Sequence, residues 1–182
     1  VCDPVVMLLD EPFSGLDEDL RQKLNEEVAT LLRERDITCI MVTHDRDEAF
    51  AFSDKVGVIN EGRLQQLASP NDIYHEPKTK FVAEFIGDGV FLRGTLDHNK
   101  SLITDYMTLR NHKISSGVEG SMFDTLLRPD DVIFDPHSHN KVKILSKTFK
   151  GSQILYQLKA EGKQKIQALF PSHFDFAVGE II

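Results

Sequence analysis

The sequence predicts two units of different class, an α/β unit over residues 1–87 and an all-β unit over residues 88–182. Three observations carry this reading. Between residues 5 and 43, short apolar runs flank one long stretch of helical period. Beyond Gly87 that period gives way to short alternating runs separated by turn residues. The charge balance changes at the same place: residues 1–86 hold 9 Lys and Arg against 18 Asp and Glu, whereas residues 87–182 hold 12 against 11.

The elements follow in order. Val5 to Leu9 is a continuous apolar run, the pattern of a strand covered on both faces. After the turn Phe13-Ser14-Gly15-Leu16, Asp17 is placed to cap a helix, and Glu18 and Asp19 in its first turn complement the positive end of the dipole. Leu20, Leu24, Val28 and Leu31 give that helix an apolar stripe, and Arg33 and Arg35 close its negative end. Thr38 to Thr43 is a second buried strand, so residues 5–43 form a β-α-β unit whose strands run parallel through a right-handed crossover. Arg46 to Phe52 is a short helix, and Lys55–Asn60 and Arg63–Ala68 form a hairpin turning at Glu61-Gly62. Ser69 caps a helix with Pro70 at its first position, and Lys78 to Ile86 is a further helix ended by Gly87.

The second unit reads as strands at Val90–Leu96, Ser101–Tyr106, Met122–Leu127, Val132–Asp135, Val142–Phe149, Gln153–Leu158 and Ile166–Phe170. Turns at Asn99-Lys100, Pro129-Asp130, Gly151-Ser152 and Glu161-Gly162 separate them, which predicts a small antiparallel barrel of the OB type.

Composition bounds the function. No apolar run approaches the roughly 20 residues of a membrane-spanning helix, and no basic, apolar export leader is present. Cys2 and Cys39 are unpatterned, which points to a reduced setting with Cys39 in the core. Neither unit carries the clustered basic stripe that nucleic-acid backbones demand, so DNA and RNA are set aside as partners.

In open parallel sheets, ligands sit beyond the carboxyl ends of the strands. Both strands of the β-α-β unit end in polar groups there: Asp10 and Glu11 on one, Thr43, His44 and Asp45 on the other. A hard oxygen for Mg2+, a base and a phosphate-facing imidazole make a working set for nucleotide hydrolysis. Strands also end in charges simply because they emerge into water, so Asp10-Glu11 alone does not decide.

The combination is more specific. Asp10-Glu11-Pro12, Ser14-Gly15-Leu16-Asp17 and Val42-Thr43-His44-Asp45, in that order, resemble the second half of an ABC-type ATPase. The resemblance implies a Walker B strand, a D-loop and a switch histidine, and a partial P-loop ATPase domain as the fold of residues 1–87. It implies that Asp10 holds Mg2+, that Glu11 polarises the attacking water, and that His44 hydrogen-bonds the γ-phosphate of ATP. Ser14 and Asp17 take D-loop positions, with Asp17 reaching across the interface to a second copy of the ATP-binding subunit. A phosphate cradle G-x-x-x-x-G-K-[ST] is absent, since Gly162-Lys163 is followed by Gln and has no glycine in the required place, and no L-S-G-G-Q-like stretch occurs. The expectation is therefore a chain that begins partway through its ATPase domain and by itself neither binds nor hydrolyses ATP measurably. The apolar edge of Val5–Leu9 then invites pairing with another copy.

The run from Ser69 to Gly87 resembles the segment that ends the ATPase domain in importers of the sugar, polyamine, sulfate and iron group. Leu127 to Val132 and Phe149 to Ser152 resemble the TOBE domain that follows it, with the last strands clipped. The resemblance implies transmembrane permease subunits as partners, a periplasmic binding protein indirectly, and a peripheral place on the cytoplasmic face of the inner membrane. Phe85 to Leu92, His44 to Phe50 and Thr125 to His139 look most like ferric-iron importers, which makes iron the expected cargo, with sugar, polyamine or sulfate as alternatives. A second reading makes the chain a regulatory or dimerising module whose barrel binds a small effector, and a different P-loop machine such as a DNA-repair ATPase is disfavoured. His137 and His139 read as solvated loop, Phe170, Phe174 and Phe176 as core strand residues, and Lys159, Lys163 and Lys165 as a water-facing turn.

Overall fold

The computed structural model describes residues 4–99, 101–104, 108–110, 119–138, 140–160 and 165–182. Cys2, Lys100, Tyr106, His139 and the stretch from Glu161 to Gln164, all named above, lie outside the described residues. The chain divides into two compact units, Val1–Ile86 and Gly87–Ile182.

In the first unit, β1 (Val6–Asp10) and β2 (Thr38–Val42) form a two-stranded parallel sheet, joined through α1 (Glu18–Glu34). The register runs from Val6 opposite Thr38 to Asp10 opposite Val42, so both strands end at the same rim. Asp17 caps α1, its Oδ1 accepting from the Leu20 amide at 3.0 Å. The helix stops in a Schellman motif: the Asp36 amide donates to the Arg33 carbonyl and the Ile37 amide to that of Leu32, with Asp36 at φ +53°. One face of the sheet is covered. Met7, Leu9, Cys39 and Met41 pack against Ala29 and Leu32 of α1 and Phe52 of α2 (Arg46–Phe52).

The opposite face differs from the expected two-sided burial. Val6, Leu8, Ile40 and Val42, the alternate residues of both strands, are exposed, with Leu8 at 74%. Period-two alternation puts them together on the side away from the helices, where the described chain supplies no covering layer. The stripe on α1 is likewise narrower than its spacing predicts. Leu20 and Leu31 are exposed, and the buried line is Asn25, Ala29 and Leu32. Asn25 is half satisfied there, its Nδ2 donating to the Glu48 carbonyl at 3.2 Å while its Oδ1 is buried without a hydrogen-bond partner.

The hairpin β3 (Val56–Asn60) and β4 (Arg63–Ala68) turns at Glu61-Gly62, both at positive φ, as a two-residue loop between right-twisted strands requires. With α3 (Pro70–His75) and α4 (Lys80–Ile86) it builds a second cluster of Val58, Ile73, Val82 and Ile86. Ser69 caps α3 by accepting from the Asp72 amide at 3.1 Å.

The second unit is all-β over its strands but is not one closed ladder among the described residues. β5 (Val90–Leu96), β6 (Ser101–Thr104), β7 (Thr108–Arg110) and β8 (Met122–Leu127) form one antiparallel sheet in the order β7-β6-β5-β8. β9 (Lys143–Phe149), β10 (Gln153–Lys159) and β11 (Lys165–Pro171) form a second, in the order β11-β10-β9. The two share one core, with Leu92 and Leu127 from the first sheet packed among Ile144, Ile154, Tyr156, Leu158, Ile166, Ala168 and Phe170 of the second. The expected strand Val132–Asp135 does not form. A single 3-10 turn, Pro129–Asp131, leads into irregular chain there, held by the Asp131 carboxylate accepting from the Arg128 amide at 2.8 Å. Phe174 and Phe176 also lie past the end of β11 rather than within a strand. They still pack on the core, because the Tyr156 hydroxyl donates to the Phe174 carbonyl and accepts from the Phe176 amide at 3.1 Å, pinning the loop over the sheet.

Candidate functional site

The rim where β1 and β2 end is assembled by the strand register. Beyond Asp10 the ladder continues for one bond, the Glu11 amide donating to the Val42 carbonyl at 2.8 Å. Glu11 then turns out of the sheet at φ +44°, a left-handed conformation that a glutamate adopts at a cost of about 1–2 kcal/mol. The turn closes with the Ser14 amide on the Glu11 carbonyl at 3.2 Å.

On the other strand, Thr43 and Asp45 bracket His44. The imidazole Nδ1 of His44 lies 3.0 Å from Oε1 of Glu11, across 33 residues of sequence. The two side chains are 77% and 48% exposed, so the pair faces solvent and is accessible to a ligand. The structure therefore brings together two of the residues singled out in the sequence. Asp10 is exposed at the same rim, on the uncovered face with Leu8 and Val42. Ser14 and Asp17 lie in the following turn, and the Asp17 carboxylate is engaged as the cap of α1.

Beneath the rim lies a polar cluster in which Thr43 and Asp45, named above at the end of β2, meet Arg21 and Glu48, which the sequence did not point to. Glu48 of α2 is 5% exposed. Its Oε2 accepts from the Thr43 hydroxyl at 2.5 Å, and its Oε1 lies 3.5 Å from Nε of Arg21. Arg21 also donates from Nη1 to Asp45 Oδ2 and from Nη2 to the Leu16 carbonyl, each at 3.0 Å. Asp45 caps α2 through its other oxygen, accepting from the amides of Asp47 and Glu48. The signal available beforehand was the spacing of Asp45 and Glu48, a cap residue followed three positions on by glutamate.

The donor set at the rim fits a magnesium nucleotide in kind: two carboxylates supply hard oxygens, and an exposed imidazole can meet a phosphate. Among the described residues no group of three or more His, Cys, Asp or Glu side chains is arranged to hold a metal by protein ligands alone. A magnesium ion shared between one or two carboxylates, water and substrate phosphates does not need such a group. No helix of the described residues is long and apolar enough to cross a membrane.

Comparison with known proteins places the chain beside a class, the ATP-binding proteins of import systems. No protein-family model matches it. Relatives it matches include proteins named spermidine/putrescine import ATP-binding protein PotA: that of Oleidesulfovibrio alaskensis is 43% identical over 137 residues, covering 72% of this chain and 37% of the relative. That of Borreliella afzelii is 38% identical over 164 residues, 88% of this chain and 46% of the relative. That of Mycoplasma mycoides subsp. mycoides SC is 35% identical over 181 residues, 92% of this chain and 48% of the relative. The chain thus spans less than half the length of these relatives. Their names specify polyamines rather than iron, so the expectation of ferric iron as cargo finds no support in them, and polyamine, one of the alternatives, is the class they print.

Proposed function

We propose that this chain is part of the ATP-binding subunit of an ABC importer, that residues 1–87 contribute half of its hydrolytic rim, and that the cargo is a polyamine. The contact that carries the reading is Nδ1 of His44 at 3.0 Å from Glu11 Oε1, at the carboxyl end of a parallel sheet. There Asp10 would hold Mg2+ and Glu11 would take a proton from the attacking water. His44 would donate to the γ-phosphate of ATP, and Ser14 and Asp17 would face a second copy of the subunit. Bound magnesium supplies charge neutralisation for the transferring phosphoryl group. Residues 88–182 are read as a TOBE-type, OB-like unit that contacts neighbouring subunits. Its interior is filled by side chains such as Tyr156 and Leu92, which favours this contact role over a module binding a small effector. The same reading makes transmembrane permeases and a periplasmic binding protein the partners, at the cytoplasmic face of the inner membrane. The polyamine assignment rests on the names of the relatives.

The test is Glu11→Gln in the complete ATPase. ATP binding is expected to persist while hydrolysis falls about 10²- to 10⁴-fold, the range for losing a positioned general base. Undiminished turnover would overturn the assignment. Polyamine-stimulated turnover with the cognate binding protein and permease tests the cargo, and stimulation by ferric iron instead would reverse it.

A further inference from the structure

We propose that Arg21 is a positioning residue for the rim, holding the turn after β1 and the loop after β2 in register so that His44 meets Glu11. The inference rests on the reading of that rim as hydrolytic for its consequence, but not for its geometry. His44 cannot be held by its own burial, because its side chain is 77% exposed. What surrounds it is fixed. Thr43 on one side donates to Glu48, and its hydroxyl also accepts from the Asp45 amide at 3.0 Å. Asp45 on the other side caps α2 through one carboxylate oxygen and receives Arg21 through the other.

Arg21 is where these restraints meet those of the other loop. Its guanidinium reaches the Leu16 carbonyl in the turn after β1, Asp45 beside His44, and buried Glu48. A fork of five N–H donors can bond the Leu16 carbonyl and Asp45 in different directions while its charge stands 3.5 Å from Glu48, whereas an ammonium at the end of a flexible stem acts as a point charge. Arg21 is also the cation within ion-pair range of Glu48 among the described residues, and a carboxylate that is 5% exposed requires such a partner. Losing the arginine therefore leaves Glu48 uncompensated and frees Asp45 at the same moment. The loop carrying His44 then loses its side-chain tie to the turn after β1, and the backbone bond from Glu11 to Val42 remains to join the strand ends.

The experiment reads the imidazole directly. In the isotopically labelled 182-residue chain, the ring-nitrogen signals of His44, assigned by their disappearance in His44→Gln, report whether Nδ1 keeps its carboxylate partner. Arg21→Met is expected to move them in the direction produced by Glu11→Ala, and the double variant to add less than the sum of the two, as coupled groups do. Arg21→Lys should restore part of the signal. Glu48→Gln, which removes the charge at nearly constant size, carries the same expectation should Arg21→Met fail to fold. Unmoved His44 signals in folded Arg21→Met or Glu48→Gln overturn the proposal. In the complete ATPase, Arg21→Met should lower kcat by about 10- to 100-fold, with KM for ATP changed by less than about twofold, because a displaced group costs rate more than binding. A moved imidazole with unaltered turnover would sink the hydrolytic reading of the rim and leave the positioning role standing.

Discussion

Thr43→Val isolates the energy stored beneath the rim. Valine matches threonine in shape, so the change removes a hydroxyl without opening a cavity. Two bonds go: the one from Thr43 Oγ1 to Glu48 Oε2 at 2.5 Å and the one from the Asp45 amide to Oγ1 at 3.0 Å. A hydrogen bond to a charged group contributes about 1.5–3 kcal/mol, and a neutral one about 1. Glu48 is too buried for water to replace the first, while Arg21 still stands 3.5 Å from its other oxygen and softens the loss. The Asp45 amide lies in a half-buried loop where water can replace part of the second. The net expectation is a destabilisation of about 2–3 kcal/mol, roughly a 30- to 150-fold change in the unfolding constant. Urea unfolding followed through the amide signals of Ala29 and Leu32, which pack in the first unit, measures it, with the slope against urea unchanged. Signals of Ile154 and Ile166 in the second unit serve as an internal reference. Thr38→Val, at an exposed position at the start of β2, is the control and should stay within about 0.5 kcal/mol. If Thr43→Val also stays within that range, the cluster of Thr43, Glu48 and Arg21 does not hold the loop.

Three further outcomes are expected. Asp36→Gly should stabilise the first unit by about 0.5–1 kcal/mol, because Asp36 occupies the left-handed position of a Schellman motif at φ +53°; a loss of stability on thermal unfolding would contradict this. Tyr156→Phe should cost the second unit about 1–2.5 kcal/mol in urea unfolding, since the ring stays buried while the hydroxyl that ties Phe174 and Phe176 is lost; a neutral result would show the loop to be held by its rings alone. Burial pushes the Cys39 thiol above its ordinary value of 9.0, so in a Cys2→Ser background alkylation at pH 8 should be slower than for a free cysteine. The gap should close as pH rises through the folded value, where the stability contributed by the protonated thiol is also lost; equal rates at pH 8 would refute it.

How much of this was legible in the sequence depends on how local each determinant is. The caps at Asp17 and Ser69, the Glu61-Gly62 turn and the convergence of Asp10, Glu11 and His44 rest on short-range chemistry and on the geometry of a parallel pair, and the structure has all of them. Burial is different, because it depends on what lies opposite. A run such as Val5 to Leu9 reads as covered on both faces, yet among the described residues it is Met7 and Leu9 that pack on a core cluster, while Val5, Val6 and Leu8 are exposed. The stripe on α1 fails at Leu20 and Leu31 for the same reason, and Asn25 is buried by a partner 23 residues away.

Arg21 was illegible for a stronger reason. On the helix it is one polar residue among many, bonded to Glu18 one turn back like any surface arginine, and its distant partners belong to a turn before it, the loop after β2 and another helix. Nothing in its own neighbourhood distinguishes it from Lys23 or Arg33. The conformation of Glu11 is hidden in the same way, since its position before Pro12 restricts the right-handed helical region without announcing φ +44°. That conformation costs energy at the residue that meets His44, and strain persists only where surrounding structure over-determines it. Here the surrounding structure is the ladder bond from Glu11 to Val42 on one side and the turn bond from Ser14 on the other. The carboxylate is thereby aimed by backbone restraint, and the Arg21 cluster bonds both the Leu16 carbonyl of that turn and Asp45 beside the imidazole, so the two supports are linked and meet at a single 3.0 Å contact.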